Sequence, residues 1–338
     1  MKAVRLNEWG KPLDLEDLPQ PVPDDDQVLV RIHAASINPF DAALHAGYLA
    51  SMATVPLTMG TDFSGEVVAV GANIKHLKPG DAVYGLSPLG NGAFAEYTTV
   101  KAFEVTQKPR SLDFVNSAGV PLPATAAWKS LYELLQVKSG ERLLIIGEAG
   151  AVGGIATQLA KKDGVFVYGV DIPQKAEHAK KLGVDQFISS QERFEDIVQN
   201  VDAVLDLVGG EMTERAYNVL RPGGRYVTSL LAETPQEEPT RLGIKSMGLA
   251  AWPNAEILAK MAELIDADFG PTDGGHRGLA EAAKNVPDAP DAETDGNQAE
   301  DDAHDDAAEP IGGGLVNTSK HKSVRLCLDE DERAIHGR

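Results

Sequence analysis

The run Gly147–Glu148–Ala149–Gly150–Ala151–Val152–Gly153–Gly154 is the stretch of this chain best suited to chemistry. Glycines let a backbone turn tightly and come close to a pyrophosphate, whose charge then meets the N–H groups at a helix start. The context fits that use: the compact apolar run Arg142–Ile146 leads into the glycines, and an amphipathic pattern from Val152 to Lys162 leads away. A second group lies 24 residues beyond Gly147, where the next apolar run ends at Gly169–Val170–Asp171. A carboxylate there can accept hydrogen bonds from the adenosine ribose hydroxyls and would repel a 2′-phosphate, which favours NAD(H) over NADP(H). Asp171 could instead cap the helix that starts near Pro173. Lys175 is close enough in sequence to approach either a ribose or a phosphate, so both cofactors stay in view.

These groups need elements to position them. From Val120 onward the chain alternates helical and strand-like patterns. Helices are expected at Ala124–Val137, Val152–Lys162 and Gln174–Leu182, and strands at Arg142–Ile146, Val165–Val170, Gln186–Ile188 and Val201–Leu205. A further strand starts at Gly224, and Ile257–Ile265 reads as a helix. Such alternation implies βαβ units and a parallel sheet. Residues 1 to about 118 read differently, as short strands between turns: Val28–Ala34, Phe63–Val70 and Gly92–Val100, with Lys78–Pro79–Gly80–Asp81 as a strong turn. The expected organisation is a β-rich domain over 1–118, a dinucleotide-binding domain over 119–255, and a C-terminal segment over 256–338.

Of a formal net charge of −20, the stretch from Asp266 to Pro310 carries −12, with 14 acidic residues against Arg277 and Lys284. The acidity therefore belongs to one segment, about 266–312, whose composition reads as disordered. Val324–Leu328 could form a final strand. No basic stripe suggests a nucleic-acid partner. Neither a signal-like apolar region nor a run of membrane-spanning length is found, so the chain is expected to be soluble and cytoplasmic, with no membrane partner. The single cysteine, Cys327, agrees with a reducing compartment and excludes an internal disulfide or a multi-cysteine zinc site.

Several segments together resemble the medium-chain dehydrogenase/reductase superfamily in its zinc-independent quinone oxidoreductase branch. They are Ser36–Ile37–Asn38–Pro39–Phe40–Asp41, Gly60–Thr61–Asp62–Phe63–Ser64–Gly65–Glu66–Val67, Lys78–Gly85, Gly92–Tyr97, the glycine run and Leu220–Arg225. The resemblance implies an α/β protein with a GroES-like β-rich catalytic domain, a Rossmann doubly wound parallel sheet, and an active site in the cleft between them. It further implies that Asn38 and Asp41 face the nicotinamide end with Thr125 nearby. Gly150, Ala151 and Val152 would then line the pyrophosphate, with Leu207 and Val208 beside the ribose and nicotinamide. The threonine that many relatives place directly before an Ala–Trp pair is displaced by one here, to Thr125. Homodimerisation through Rossmann edge strands is common among such relatives and is a further expectation.

Catalytic zinc needs three protein ligands and an open fourth position. Where zinc-dependent relatives place a cysteine this chain reads Asn38–Pro39–Phe40, and where they place a histidine it has Thr61. The eight histidines form no short ligand spacing. The expected reaction is therefore hydride transfer from NAD(P)H to an acceptor that is already electron-poor, a quinone or an α,β-unsaturated carbonyl. Tyr48, which follows the Asn38–Asp41 segment, is the first candidate proton donor, with bulk water as competitor. An enoyl reductase of a biosynthetic pathway and a non-catalytic cofactor-binding protein are the alternatives.

Overall fold

The computed structural model describes residues 1–229 and 237–268. Most of the acidic stretch, the strand expected at Val324–Leu328 and Cys327 lie outside the described residues.

The first half holds eight strands: β1 Lys2–Leu6, β2 Asp14–Asp17, β3 Gln27–Ser36, β4 Leu57–Thr58, β5 Asp62–Val70, β6 Ala82–Leu86, β7 Tyr97–Lys101 and β8 Val105–Gln107. Five form an antiparallel sheet in the order β7-β3-β5-β6-β8, and three form a smaller sheet, β2-β1-β4. The β3–β5 register shifts between Leu29 and Val30 and again between Ile32 and Ala34. Such irregularities bend a strand and break its strict alternation, so Val28, Leu29 and Val30 are all buried. Of the strand expected over Gly92–Val100, only its end is regular, as β7. The earlier part crosses to the small sheet, where Ala95 bridges Ala3. Helix α1, Pro39–His45, starts three residues beyond β3, with proline in its first turn, where the missing N–H costs nothing.

The second half begins with helices α2 Phe114–Ala118 and α3 Pro121–Trp128, the latter continued by a π-helical segment, Lys129–Leu134. Then come β9 Arg142–Ile146, α4 Ala151–Lys162, β10 Phe166–Asp171, α5 Ala176–Leu182, β11 Gln186–Ser189, α6 Phe194–Ile197 and β12 Val201–Asp206. The series ends with α7 Glu211–Val219, β13 Leu220–Thr228, α8 Glu237–Arg241, β14 Lys245–Gly248 and α9 Ala255–Asp268. All six strands run parallel in the order β11-β10-β9-β12-β13-β14. This is the doubly wound order in which the chain reverses direction across the sheet beside its first strand, here between β9 and β12. The sequence of β9 explains its central place. Leu143 and Ile145 enter the core on one face, against Ala127, Leu131 and Leu159. Leu144 and Ile146 enter the other, with Phe194 and Tyr217. A strand covered on both sides has to be apolar throughout.

Helix α9 returns to the first half. Ile257, Leu258, Met261 and Ile265 are buried, each stabilising the docked helix by about 1.5–3 kcal/mol. The Tyr84 hydroxyl on β6 donates to the Leu258 carbonyl at 2.7 Å. Asp266 accepts from the Ser111 backbone at 2.9 Å and from its hydroxyl at 2.8 Å.

Candidate functional site

The glycine turn sits at the carboxyl end of β9, at the point where the chain direction across the sheet reverses. Gly147 has φ +83°, a conformation that costs glycine nothing, and its N–H donates to the Val170 carbonyl at 2.8 Å. Gly150 caps α4 with extended backbone, so the first-turn N–H groups of Ala151, Val152 and Gly153 have no helical acceptor and point out of the helix start. A Cβ on Gly153 would stand 2.4 Å from the carbonyl oxygens of both Gly147 and Glu148. The helix therefore lies directly on the turn, and only glycine allows it. Leu207 and Val208 follow β12 and pack over Gly147, whose Cβ would lie 3.2 Å from Val208 Cγ2. Their loop is held by buried Asp206, which accepts from the backbones of Val208 at 3.0 Å and Gly209 at 2.8 Å.

Asp171 ends β10 beside this turn. Its carboxylate accepts from the Ala149 N–H at 3.0 Å and the Ile172 N–H at 2.8 Å, and Lys175 Nζ stands 3.4 Å away. It thus braces the glycine turn, while the N-cap positions of the short helix Pro173–Lys175 and of α5 are Ile172 and Lys175, not Asp171. Glu148, whose burial no local pattern signals, is fully buried within the turn. One oxygen accepts from Thr157 at 3.1 Å and the other has no protein partner. Burial pushes its carboxyl up to about 7, with the charge of Asp171 adding to the rise.

Around the start of α1 a second polar network is buried. The Asn38 backbone N–H donates to Asp41 at 2.7 Å, and Thr61 Oγ1 donates to the other Asp41 oxygen at 2.8 Å. The Asn38 side-chain amide donates to Asp62 at 3.1 Å, as does Ser36 Oγ. The remaining Asp62 oxygen accepts from the Leu122 N–H at 3.0 Å, tying the first half to the start of α3. Burial raises Asp41 to about 6 against the pull of these hydrogen bonds, and it raises Asp62 as well. Asp62 was not singled out from sequence. Its partners Ser36, Asn38 and Leu122 lie on three elements, which no local spacing reveals.

A cavity of about 390 Å³ opens between the halves. Phe40, Thr61, Leu86, Leu89 and Phe103 line it from the first half, and Leu122, Trp252 and Pro253 from the second. Ser87 and Glu104 also reach it, but Ser87 donates to the Gly60 and Thr61 carbonyls and Glu104 accepts from the Lys101 N–H. The structure thus brings Asn38 and Asp41 together beside Thr61 on the cavity wall. Thr125 is fully buried in α3, its hydroxyl without a protein partner. Tyr48 is 76% exposed and is not part of the wall. Among the described residues, no group of three or more His, Cys, Asp or Glu side chains is placed to hold a metal ion. No described helix is long and apolar enough to cross a membrane.

Residues 24–110 match the family described as alcohol dehydrogenase GroES-like domain, and residues 151–250 the family described as zinc-binding dehydrogenase. A 2-methylene-furan-3-one reductase of Solanum lycopersicum is 39% identical over 252 residues, 70% of this chain and 63% of the relative. An NADPH-dependent alkenal/one oxidoreductase of Arabidopsis thaliana, described as chloroplastic, is 34% identical over 70% of this chain and 64% of its own length. The chain thus spans less than two thirds of either plant relative. Human quinone oxidoreductase is 30% identical over 67% of this chain and 72% of its own length. The solved quinone oxidoreductase of Coxiella burnetii superposes with a TM-score of 0.73 at 30% identity, covering 84% of this chain and 93% of that one. These likenesses agree with the parallel sheet order, the glycine turn and the bent antiparallel sheet: the chain belongs to the medium-chain dehydrogenase/reductase superfamily, in its quinone oxidoreductase-like branch.

Proposed function

We propose that this protein is a zinc-independent oxidoreductase that passes hydride from NAD(P)H to a quinone or an α,β-unsaturated carbonyl, with NADH preferred. The observation that carries the reading is a glycine turn of dinucleotide-binding geometry at the sheet's reversal point, in the same molecule as an apolar cavity shared by two halves. The residues of the turn fit a pyrophosphate. The glycine backbone leaves room above it, and the helix start offers unpaired N–H groups.

Bound nicotinamide, when reduced, supplies the hydride. In this proposal the N–H groups at the start of α4 hold the pyrophosphate. Asp171 accepts from the ribose hydroxyls and its charge disfavours a 2′-phosphate, which Lys175 offsets in part. Leu207 and Val208 pack against the ribose, and Asn38 and Thr125 stand at the nicotinamide end. The mostly apolar cavity excludes water and orients a neutral acceptor, so catalysis rests on placement more than on activation of the acceptor. A proton must also reach the acceptor. Tyr48, the first candidate from sequence, is exposed and does not line the cavity, which favours another group or water as the donor. We propose a domain organisation of 1–118, 119–255 and 256–338, with α9 docking the last segment onto the first. A reducing compartment, the cytoplasm, fits a chain with one cysteine.

The reading is tested by titrating the protein with NADH and NADPH and following the fluorescence of its three tryptophans. Saturable binding with NADH tighter is expected. Tighter NADPH would overturn the role given to Asp171, and binding of neither would overturn the reading as a whole.

A further inference from the structure

We propose that Thr61 is the catalytic proton donor to the reduced acceptor, backed by Asp41, which acts through it. The inference rests on the oxidoreductase reading above and assigns the one step that reading leaves open.

Three features of the cavity point to Thr61. It is on the wall itself, at the junction of β5 with the turn before it, among Phe40, Leu86 and Leu122. Its hydroxyl is 2.8 Å from a carboxyl oxygen of Asp41, a side chain only 3% exposed. Thr61 is the hydroxyl on the wall that is backed by a carboxyl: the Ser87 hydroxyl donates to two backbone carbonyls, and one oxygen of Glu104 accepts from the Lys101 N–H.

The Asp41 environment suits a group that gives and regains a proton. Burial raises it to about 6, which keeps its protonated form within reach near neutrality. The charges nearby belong to the same side of the site. Asp62 is fully buried on β5 and shares Asn38 with Asp41, while Glu104 reaches the cavity from the turn between β7 and β8. Neither contributes a cation that would hold Asp41 ionised.

The step balances as follows. After hydride has added to the β-carbon of an unsaturated carbonyl, the electron pair of the enolate takes the Thr61 hydroxyl proton at the α-carbon. The O–H bond of Thr61 breaks as the new C–H bond forms. In the protonated state of Asp41 the 2.8 Å hydrogen bond is reversed, with Asp41 donating to the threonine oxygen, and the Asp41 proton passes to that oxygen as Thr61 gives up its own, leaving Asp41 ionised. Water restores that proton once the product has left, so one hydride and one proton are consumed in each turnover.

The test compares the wild type with Thr61→Val, Thr61→Ser and Asp41→Asn, using NADH and a simple enone in H2O and D2O. Thr61→Val keeps the shape and loses the hydroxyl. We expect kcat to fall by roughly 100-fold or more, the range for a lost general acid, with the KM for NADH and the binding of NADH little moved. Thr61→Ser, which restores a hydroxyl, should recover most of that loss and the solvent isotope effect on kcat. Asp41→Asn still offers an acceptor to the Asn38 N–H but has no transferable proton, and its kcat should fall as well. A Thr61→Val enzyme that binds NADH and turns over within about threefold of the wild type would overturn the proposal. Should Thr61→Val fail to fold, Asp41→Asn decides: an unchanged kcat and isotope effect would overturn it. A wild type that binds NADH but reduces neither enone nor quinone would bring down the oxidoreductase reading itself, and this assignment with it.

Discussion

Replacing Glu148 by glutamine should make the protein more stable at alkaline pH and leave it almost unaffected at acid pH. Glu148 is fully buried in the glycine turn, with one oxygen on Thr157 and the other unpartnered. Its carboxyl titrates near 7 in the folded protein, against an ordinary value of 4.5. A carboxyl raised on folding binds its proton more tightly in the native state. Its favourable contribution is therefore complete below the unfolded value and is lost as pH climbs through the folded one. At about 1.4 kcal/mol per pH unit, the interval from 4.5 to about 7 corresponds to about 3 kcal/mol lost in full. Between about pH 5.5 and about pH 8 the loss is about 2 kcal/mol. Glutamine resembles the protonated acid, since its carbonyl oxygen still accepts from Thr157, and it has nothing to ionise. Thermal melts at the two pH values should show the wild type losing roughly 4–8 °C more than Glu148→Gln over that range, at about 2–4 °C per kcal/mol for a domain of this size. Some slope should remain in the variant because Asp41, also raised by burial, titrates near 6. Parallel pH profiles for the two proteins would refute the reasoning, because they would mean that the buried carboxyl ionises at no cost. Since Glu148 adjoins Ala149, whose N–H braces Asp171, its ionisation adds negative charge beside the proposed pyrophosphate seat. The KM for NADH should accordingly rise with pH more steeply in the wild type than in the variant.

Other outcomes follow from single contacts. Gly153→Ala places a methyl 2.4 Å from two backbone oxygens, so α4 must lift from the turn; destabilisation of about 1–3 kcal/mol and at least tenfold weaker NADH binding are expected, by denaturant melts and fluorescence titration. Asp171→Asn removes the charge near the ribose while keeping an acceptor for the Ala149 N–H; the ratio of NADPH to NADH affinity should rise by roughly tenfold, about 1.4 kcal/mol, and an unchanged ratio would remove Asp171 from cofactor choice. Tyr84→Phe deletes the hydroxyl that holds the Leu258 carbonyl; a loss of about 1 kcal/mol, with faster hydrogen exchange in α9, is expected, and unaltered exchange would show that the apolar face of α9 holds it alone.

The parts of the molecule built from short-range patterns were legible in the sequence. The apolar run Arg142–Ile146, the glycines and the helix after them are consecutive, and the structure has β9, the turn and α4 within a residue of the expected limits. The same holds for Gly169–Asp171, and the helix expected at Ile257–Ile265 is the middle of the longer α9. What escaped depends on distant partners or on irregular backbone. The strand over Gly92–Val100 shortened because its first half joins the small sheet, whose strands β1 and β2 carry only weak alternation. The helix expected over Ala124–Val137 starts earlier, at Pro121, and changes to π-helical winding at Lys129, which a period of 3.6 cannot foretell. The turn conformation at Gly147 and the start of α4 at Ala151 were legible from residue type, and the resemblance pointed to Asn38 and Asp41, which the fold places in one buried network with Thr61. Asp62 and Glu148 were not, since a buried carboxylate declares itself only through the elements that close over it. Tyr48 drew attention by its position after Asp41, yet the turn that follows α1 carries it outward to solvent.

The central claim is transfer of hydride from bound nicotinamide to an electron-poor acceptor without zinc. The most direct measurement gives the protein NADH deuterated at C4 of the nicotinamide together with an enone, in the presence of a strong chelator, and locates the label in the product by mass spectrometry and NMR. The account predicts deuterium at the β-carbon at a rate the chelator does not alter. Product without the label, no turnover with either an enone or a quinone, or activity that vanishes with the chelator and returns with zinc would contradict it.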